Sequence, residues 1–128
     1  MLPLTRTFLA IAAILGGTSV AAGAFASHAL QEKLSERALE IFETATQYQM
    51  YHALALLGIA LLCSRPETSQ TLLIGSAVAF ILGIALFSGS LYALSLTGTQ
   101  WLGAITPLGG VAFLVGWGGL TVTAFRLR

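Results

Sequence analysis

TSQTLLIGSAVAFILGIALFSGSLYALSLTGTQWLGAITPLGGVAFLVGWGGLTVTAF, residues 68–125, contains no Asp, Glu, Lys or Arg. A helix needs about 20 mostly apolar residues to cross a bilayer, so this stretch holds two spans and a turn between them. TGTQWLG supplies the turn with Gly98 and Gly103, and Pro107 suits the first turn of the helix that follows. Outward from there, two further uncharged stretches, 7–31 and 44–64, each have room for one span. The expected fold is therefore an all-α integral membrane protein, a four-helix bundle with spans near 7–29, 45–64, 70–95 and 104–125. It forms a single domain over residues 1–128.

The composition agrees with that reading. Hydrophobic residues make up 56% of the 128 and charged residues only 9%, with a mean hydropathy of +0.86, far from a soluble globular chain. A net charge of +1 supplies no basic surface for nucleic acid. The single cysteine, Cys63, excludes an intrachain disulfide and reads as a small core residue. MLPLTR, an apolar run and Ala24-Phe25-Ala26 together imitate a secretory signal with its cleavage site. The run exceeds the usual core of about 7–15 residues, so it is read as span one.

Charge placement orients the spans. Arg6, Arg65, Arg126 and Arg128 fall on one side with Glu67; Lys33 and Arg37 fall on the other with Glu32, Glu36, Glu40 and Glu43. Cytoplasmic loops are enriched in Lys and Arg, which places both termini in the cytoplasm. The acidic connector is patterned: Leu34, Ala38, Ile41, Phe42 and Ala45 recur at helical spacing, opposite its charges. Ser35 suits the N-cap and Glu36 the first turn. Residues 35–46 are thus expected to form a short amphipathic helix between spans one and two, lying on the outer surface or running straight into span two.

The polar residues inside the spans gather in the outer half. QYQMYHALALL, residues 47–57, places Gln47, Tyr48, Tyr51 and His52 on one side of span two, with Gln49 at the edge, continuing into Gly58. Met50, Ala53, Leu54, Leu57 and Leu61 form the expected lipid side. His28 ends a seam of Ala10, Ala13, Gly17, Ala21 and Ala24 in span one, at a depth compatible with Gln47 to His52. Span three adds Ser88, Ser90 and Tyr92 after a Gly75, Ala79, Gly83 row, and span four presents Gly109, Gly116 and Gly119. Small residues let helices approach closely, so these rows are expected helix contacts. The polar set, His28, Gln47, Tyr48, Gln49, His52, Ser88, Ser90 and Tyr92, is expected to form either a hydrogen-bonded network or a small ligand pocket.

Catalytic chemistry is missing. The chain has no Asp, no paired histidines at zincin spacing and no phosphate loop in strand-to-helix context, so an enzyme is not expected. No cofactor is expected either. His28 and His52 are weak candidates for a metal or for haem: Glu43 is the one nearby carboxylate, and the two histidines differ in depth.

GAFASHAL at 23–30, LEIFETATQYQMYHALALL at 39–57 and LFSGSLYALSLTGTQWLGAITPLGGVAFLVGW at 86–117 resemble the domain-of-unknown-function 423 family. That family is also called uncharacterised protein family 0382 and is similar to eukaryotic transmembrane protein 256. Ala26-Ser27 departs from the common GAFGAHAL form and leaves His28 aligned. The resemblance implies a four-span inner or plasma membrane protein with no established activity, cofactor or substrate. The leading functional expectation is a non-enzymatic accessory or assembly subunit in the lipid bilayer, packing with itself or a larger complex. The alternative is a carrier or sensor binding a small ligand, proton, metal or haem in the outer polar pocket.

Overall fold

The computed structural model describes residues 2–127; Arg128, one of the basic residues used for orientation above, lies outside them. The chain forms four long helices, with no strand among the described residues. Helix α1 covers Leu2–Leu30, the last turn of which, Ala26–Leu30, is a π-turn. Helix α2 is Glu36–Leu62. Helix α3 is Gln70–Thr97, with a second π-turn at Ile84–Ser88. A short 3-10 turn, Gln100–Ala104, leads into α4, Thr106–Arg126.

The helix ends follow local chemistry. Ser35 caps α2 by accepting from the Ala38 N–H at 3.1 Å, and Ser69 caps α3 by accepting from the Leu72 N–H at 3.3 Å. Gly98 terminates α3 in the left-handed conformation, φ 71°, which a residue with a Cβ adopts only with strain. Pro107 sits in the first turn of α4, where its missing N–H has no intrahelical partner to lose. Between α2 and α3, Arg65 pairs with Glu67 at 2.6 Å. A hydrogen bond from its own backbone, then Arg65, holds the Glu67 carboxyl below its usual range.

Residues 36–62 form one unbroken helix, so of the two courses expected for the amphipathic segment 35–46 it takes the second and runs straight into α2, with no separate short helix. Apolar residues from that segment dock on neighbouring helices: Phe42 clusters with Ala26 and Leu30 of α1, and Tyr92 packs against them. Continuous helix keeps its backbone bonds satisfied while the charged side chains of its first turns stay exposed. Length and apolarity qualify three helices, α1, α3 and the segment Gln100–Arg126, to cross a membrane. Helix α2 carries Glu36, Arg37, Glu40 and Glu43 in its first turns.

Helix α1 packs chiefly on α2, and α4 chiefly on α3. The shared core includes Leu56 and Ile59 of α2 and Leu73 and Phe80 of α3, all fully buried, with Phe8 of α1 and Phe113 of α4. Outward-facing positions are large and apolar: Ile14, Leu54, Leu114, Val115 and Phe125, the last 86% exposed. Such a surface is suited to hydrocarbon and would aggregate in water.

The small-residue rows divide. Gly83, Gly109 and Gly116 are buried; a methyl group at Gly83 would enter the Phe113 ring, at Gly109 the Phe87 backbone, and at Gly116 the Phe80 ring. Gly119 lies against Ser76, and Ala79 is buried. These are the close contacts the sequence suggests. The α1 seam is reversed, however: Ala10, Ala13, Gly17, Ala21 and Ala24 are exposed. Phe8, Ala12, Ser19 and Ala26 face inward instead, because that side also carries the larger Leu4, Ile11 and Leu15, which with Phe8 bury more area, and Ser19 needs a partner. Gly75 is also exposed, and Gly58 has nothing within 4 Å of an added Cβ.

Candidate functional site

The polar residues of the predicted outer half converge on Gln49, which is only 6% exposed. Its amide nitrogen donates to the Leu15 carbonyl and the Thr18 hydroxyl, both at 2.9 Å, and its oxygen accepts from the Tyr92 hydroxyl at 2.6 Å. One side chain thus joins α1, α2 and α3. Two flanking serines repeat the connection with helix carbonyls: Ser19 donates to Thr46 and Ser88 to Ala45, each at 2.7 Å. Carbonyls already bonded within a helix retain a second lone pair, so these cross-links cost α2 no backbone bond. Ser90 shares a 2.6 Å hydrogen bond with Thr106, tying α3 to the start of α4.

His52 builds the second half of the site. Trp117 of α4 donates its Nε1–H to His52 Nε2 at 3.1 Å, and Nδ1 lies 2.8 Å from the Tyr48 carbonyl. Since Nε2 accepts, the proton resides on Nδ1, which donates to Tyr48; the ring is neutral and both nitrogens are occupied. Phe113 stacks on the imidazole with centroids 3.5 Å apart and planes 7° apart. Phe80 and Trp117 approach from the sides at 5.3 Å and 5.8 Å, and Tyr48 extends the ring cluster to Phe87. The histidine is a wedge between α2, α3 and α4, with its polar atoms consumed by the protein.

Of the eight sequence-selected polar residues, Gln49, His52, Ser88, Ser90 and Tyr92 enter this framework through their side chains. Tyr48 joins through its ring and carbonyl while remaining 37% exposed. His28 and Gln47 do not join: both are exposed, so His28 does not meet the α2 cluster. The π-turn directs Ala26 and Leu30 inward and leaves His28 on the outer face of α1. Helix α2 is turned by about one residue step, roughly 100°, from the wheel expected above. Ala53, assigned to lipid, is buried, whereas Gln47 and Tyr51, assigned to protein, are exposed. The three-way reach of Gln49 and the Ala45, Leu56, Cys63 row toward α3 fix that rotation.

Sequence reasoning missed Thr18 and Ser19, whose hydroxyls interrupt the apolar run of α1 at the depth of Gln49; that interruption was their signal. It also missed the hydrogen bond that Trp117 donates to His52. As to metals, His52 has no free lone pair, and no group of three His, Cys, Asp or Glu side chains assembles among the described residues.

Gln49, His52, Ser88, Ser90 and Tyr92 lie within the range matched by a known family, whereas their partners Leu15, Thr18, Phe113 and Trp117 flank it. The family described as Protein of unknown function (DUF423) matches residues 22–110. The chain belongs to the DUF423 family. Its relatives include UPF0382 membrane protein SSP2132 of Staphylococcus saprophyticus, 43% identical over 122 residues, covering 95% of this chain and 99% of the relative. UPF0382 membrane protein YwdK of Bacillus subtilis is 41% identical, covering 94% and 98% respectively. UPF0382 inner membrane protein YgdD of Escherichia coli is 40% identical, covering 97% of this chain and 93% of the relative. No solved structure matches the chain. The DUF423 chain is accordingly a membrane protein, and the relatives' names state no reaction, ligand or partner.

Proposed function

We propose that the protein is a non-enzymatic, four-span inner or plasma membrane protein that serves as an accessory or assembly subunit. Both termini face the cytoplasm in this reading, and α2 is the fourth span. The saturation of the outer polar layer carries the proposal. Gln49 uses both kinds of hydrogen-bonding group on other helices, and His52 uses both nitrogens, so the groups a carrier would offer to cargo hold the helices together. A side chain that must release three partners to bind a ligand is costly to recruit in hydrocarbon. The apolar exterior and short connectors further leave the helix faces as the surfaces available for work.

Native mass spectrometry of the full chain released from membranes in mild detergent tests this. The accessory reading expects copies of the chain or a second protein subunit at defined stoichiometry. A monomer carrying a stoichiometric small molecule or metal would replace it with the carrier reading. Cysteine labelling from either side of sealed vesicles tests the topology: positions near residue 100 should label only from outside, and positions near residue 66 only from inside.

A further inference from the structure

One face of α2 is covered by no other helix. Gln47, Tyr51, Leu54 and Leu61 are exposed, the last three by 53%, 57% and 59%, and Gly58 faces open space. These five positions are spaced by four, three, four and three residues. That is the heptad alternation of two helices in a left-handed crossing, sustained here for two repeats or about 21 Å. The face lies opposite the buried Ala45, Gln49, Leu56, Cys63 row and therefore belongs to no intramolecular contact.

Gln47 distinguishes this face from an ordinary lipid-facing one. Every hydrogen-bonding group of Gln49, two residues away, is satisfied, whereas Gln47 makes no hydrogen bond among the described residues. With the inner end of α2 at Leu62, a hydrocarbon core of about 30 Å places Gln47 roughly one turn inside its outer edge. Lipid tails offer neither a donor nor an acceptor, and an unpaired amide there is costly. A primary amide carries both groups, so two related by a two-fold axis satisfy each other with two hydrogen bonds.

We propose that α2 packs in parallel against α2 of a second copy through Gln47, Tyr51, Leu54, Gly58 and Leu61, with Gln47 paired to Gln47 across the axis. This deepens the assembly reading above and rests on its placement of α2 in the bilayer. The membrane itself imposes the parallel orientation, since both copies insert the same way. Gly58 lets the two backbones approach, and the leucines fill the inner half of the seam. One polar residue in an otherwise apolar heptad seam fixes register and copy number. Glu43, one turn farther out, lies in the aqueous boundary where salt screens the two carboxylates from each other. The small-residue row of α1 is a poorer site for a second copy. It carries no unpaired amide, and a parallel pairing would bring Arg6 toward Arg6.

The test uses the full-length chain reconstituted in phosphatidylcholine and phosphatidylglycerol vesicles. Gln47→Cys and Leu54→Cys should form disulfide-linked dimers on mild oxidation, while Ala21→Cys and Val115→Cys stay at the level of the wild type, whose Cys63 is buried. Gln47→Leu should weaken dimerisation about tenfold, as expected for two interhelical hydrogen bonds in a membrane, without lowering the thermal midpoint of the monomer. Cross-linking at Ala21 or Val115 in place of Gln47 overturns the α2 seam and leaves an assembly role standing. A monomer in vesicles overturns it too, and an accessory role then survives only with a different subunit. Labelling of Leu54→Cys and Leu61→Cys by an impermeant maleimide shows that α2 is not inserted, which sinks the four-span reading itself.

Discussion

The glycine row of α4 and the alanine-glycine row of α1 look alike in sequence and behave oppositely in the structure. Gly109 and Gly116 are buried against Phe87 and Phe80, whereas Gly17, with Ala13 and Ala21 on either side, faces outward. The difference lies in the neighbour. Helix α3 brings aromatic rings and a close backbone to α4, and each fills the space of a missing side chain. Along the row, helix α2 brings Ala53, Met50, Gln49 and the Thr46 carbonyl to α1, so α1 answers with its own larger residues, Phe8 among them, and with Ser19. A small residue marks a helix contact only when the facing surface has a knob for it.

The largest test of that contrast is Gly109→Ala. Its new Cβ meets the Phe87 backbone, which no rotamer change relieves. Overpacking costs about 1–3 kcal/mol, and this position should reach the upper end. Gly110→Ala, whose Cβ meets nothing within 4 Å, is the adjacent control and should be neutral or mildly stabilising. Thermal unfolding in mild detergent compares the two. Equal midpoints would mean that α4 is not seated on α3 as described.

Gln49→Met comes next, because it removes three interhelical bonds at once and strands the Tyr92 hydroxyl, while the Thr18 hydroxyl and the Leu15 carbonyl keep their bonds within α1. The expected loss is about 2 kcal/mol, moderated by the modest strength of hydrogen bonds inside membranes. Combining it with Tyr92→Phe should cost less than the sum of the two single changes, since both remove the same bond. Full additivity would show that the Tyr92 to Gln49 bond contributes nothing.

His52→Phe should cost less, about 1 kcal/mol. The stack on Phe113 persists while the Trp117 bond and the local bond from Nδ1 to the Tyr48 carbonyl disappear; that carbonyl stays in the α2 helix, and the indole is already 44% exposed. In a Trp101→Phe background, emission from Trp117 should shift to the blue as its N–H loses the imidazole. An unchanged spectrum would argue against that hydrogen bond.

Four helical segments were legible because apolar length, Ser35, Gly98 and Pro107 act locally, and the structure uses each as its chemistry dictates. The presence of a polar layer was legible for a related reason: Gln49, His52, Ser88 and Tyr92 are conspicuous in apolar surroundings. Their partners were harder to read. Three of the acceptors are backbone carbonyls, Leu15, Ala45 and Tyr48, which every residue possesses and no sequence pattern marks. Helix rotation was the other loss. A wheel finds the polar side of α2, yet α2 has neighbours on several flanks, and a turn of one step converts Gln47 and Tyr51 from contacts into surface.

Gly17→Leu has the smallest expected effect and bears most directly on the contrast between the two rows. Nothing lies within 4 Å of a Cβ at Gly17, and nearby Ile14 and Val20 already present large side chains outward, 64% and 62% exposed. A leucine there meets hydrocarbon as they do and also improves helix propensity by up to about 1 kcal/mol over glycine. The thermal midpoint should stay level or rise, both in detergent and in vesicles. A fall in vesicles alone would mean that something in the membrane covers this row, giving α1 a partner of its own. A fall in both would mean that α1 is rotated, with the row turned toward α2. Only the level or raised midpoint keeps the two rows as different in the bilayer as they are in the fold.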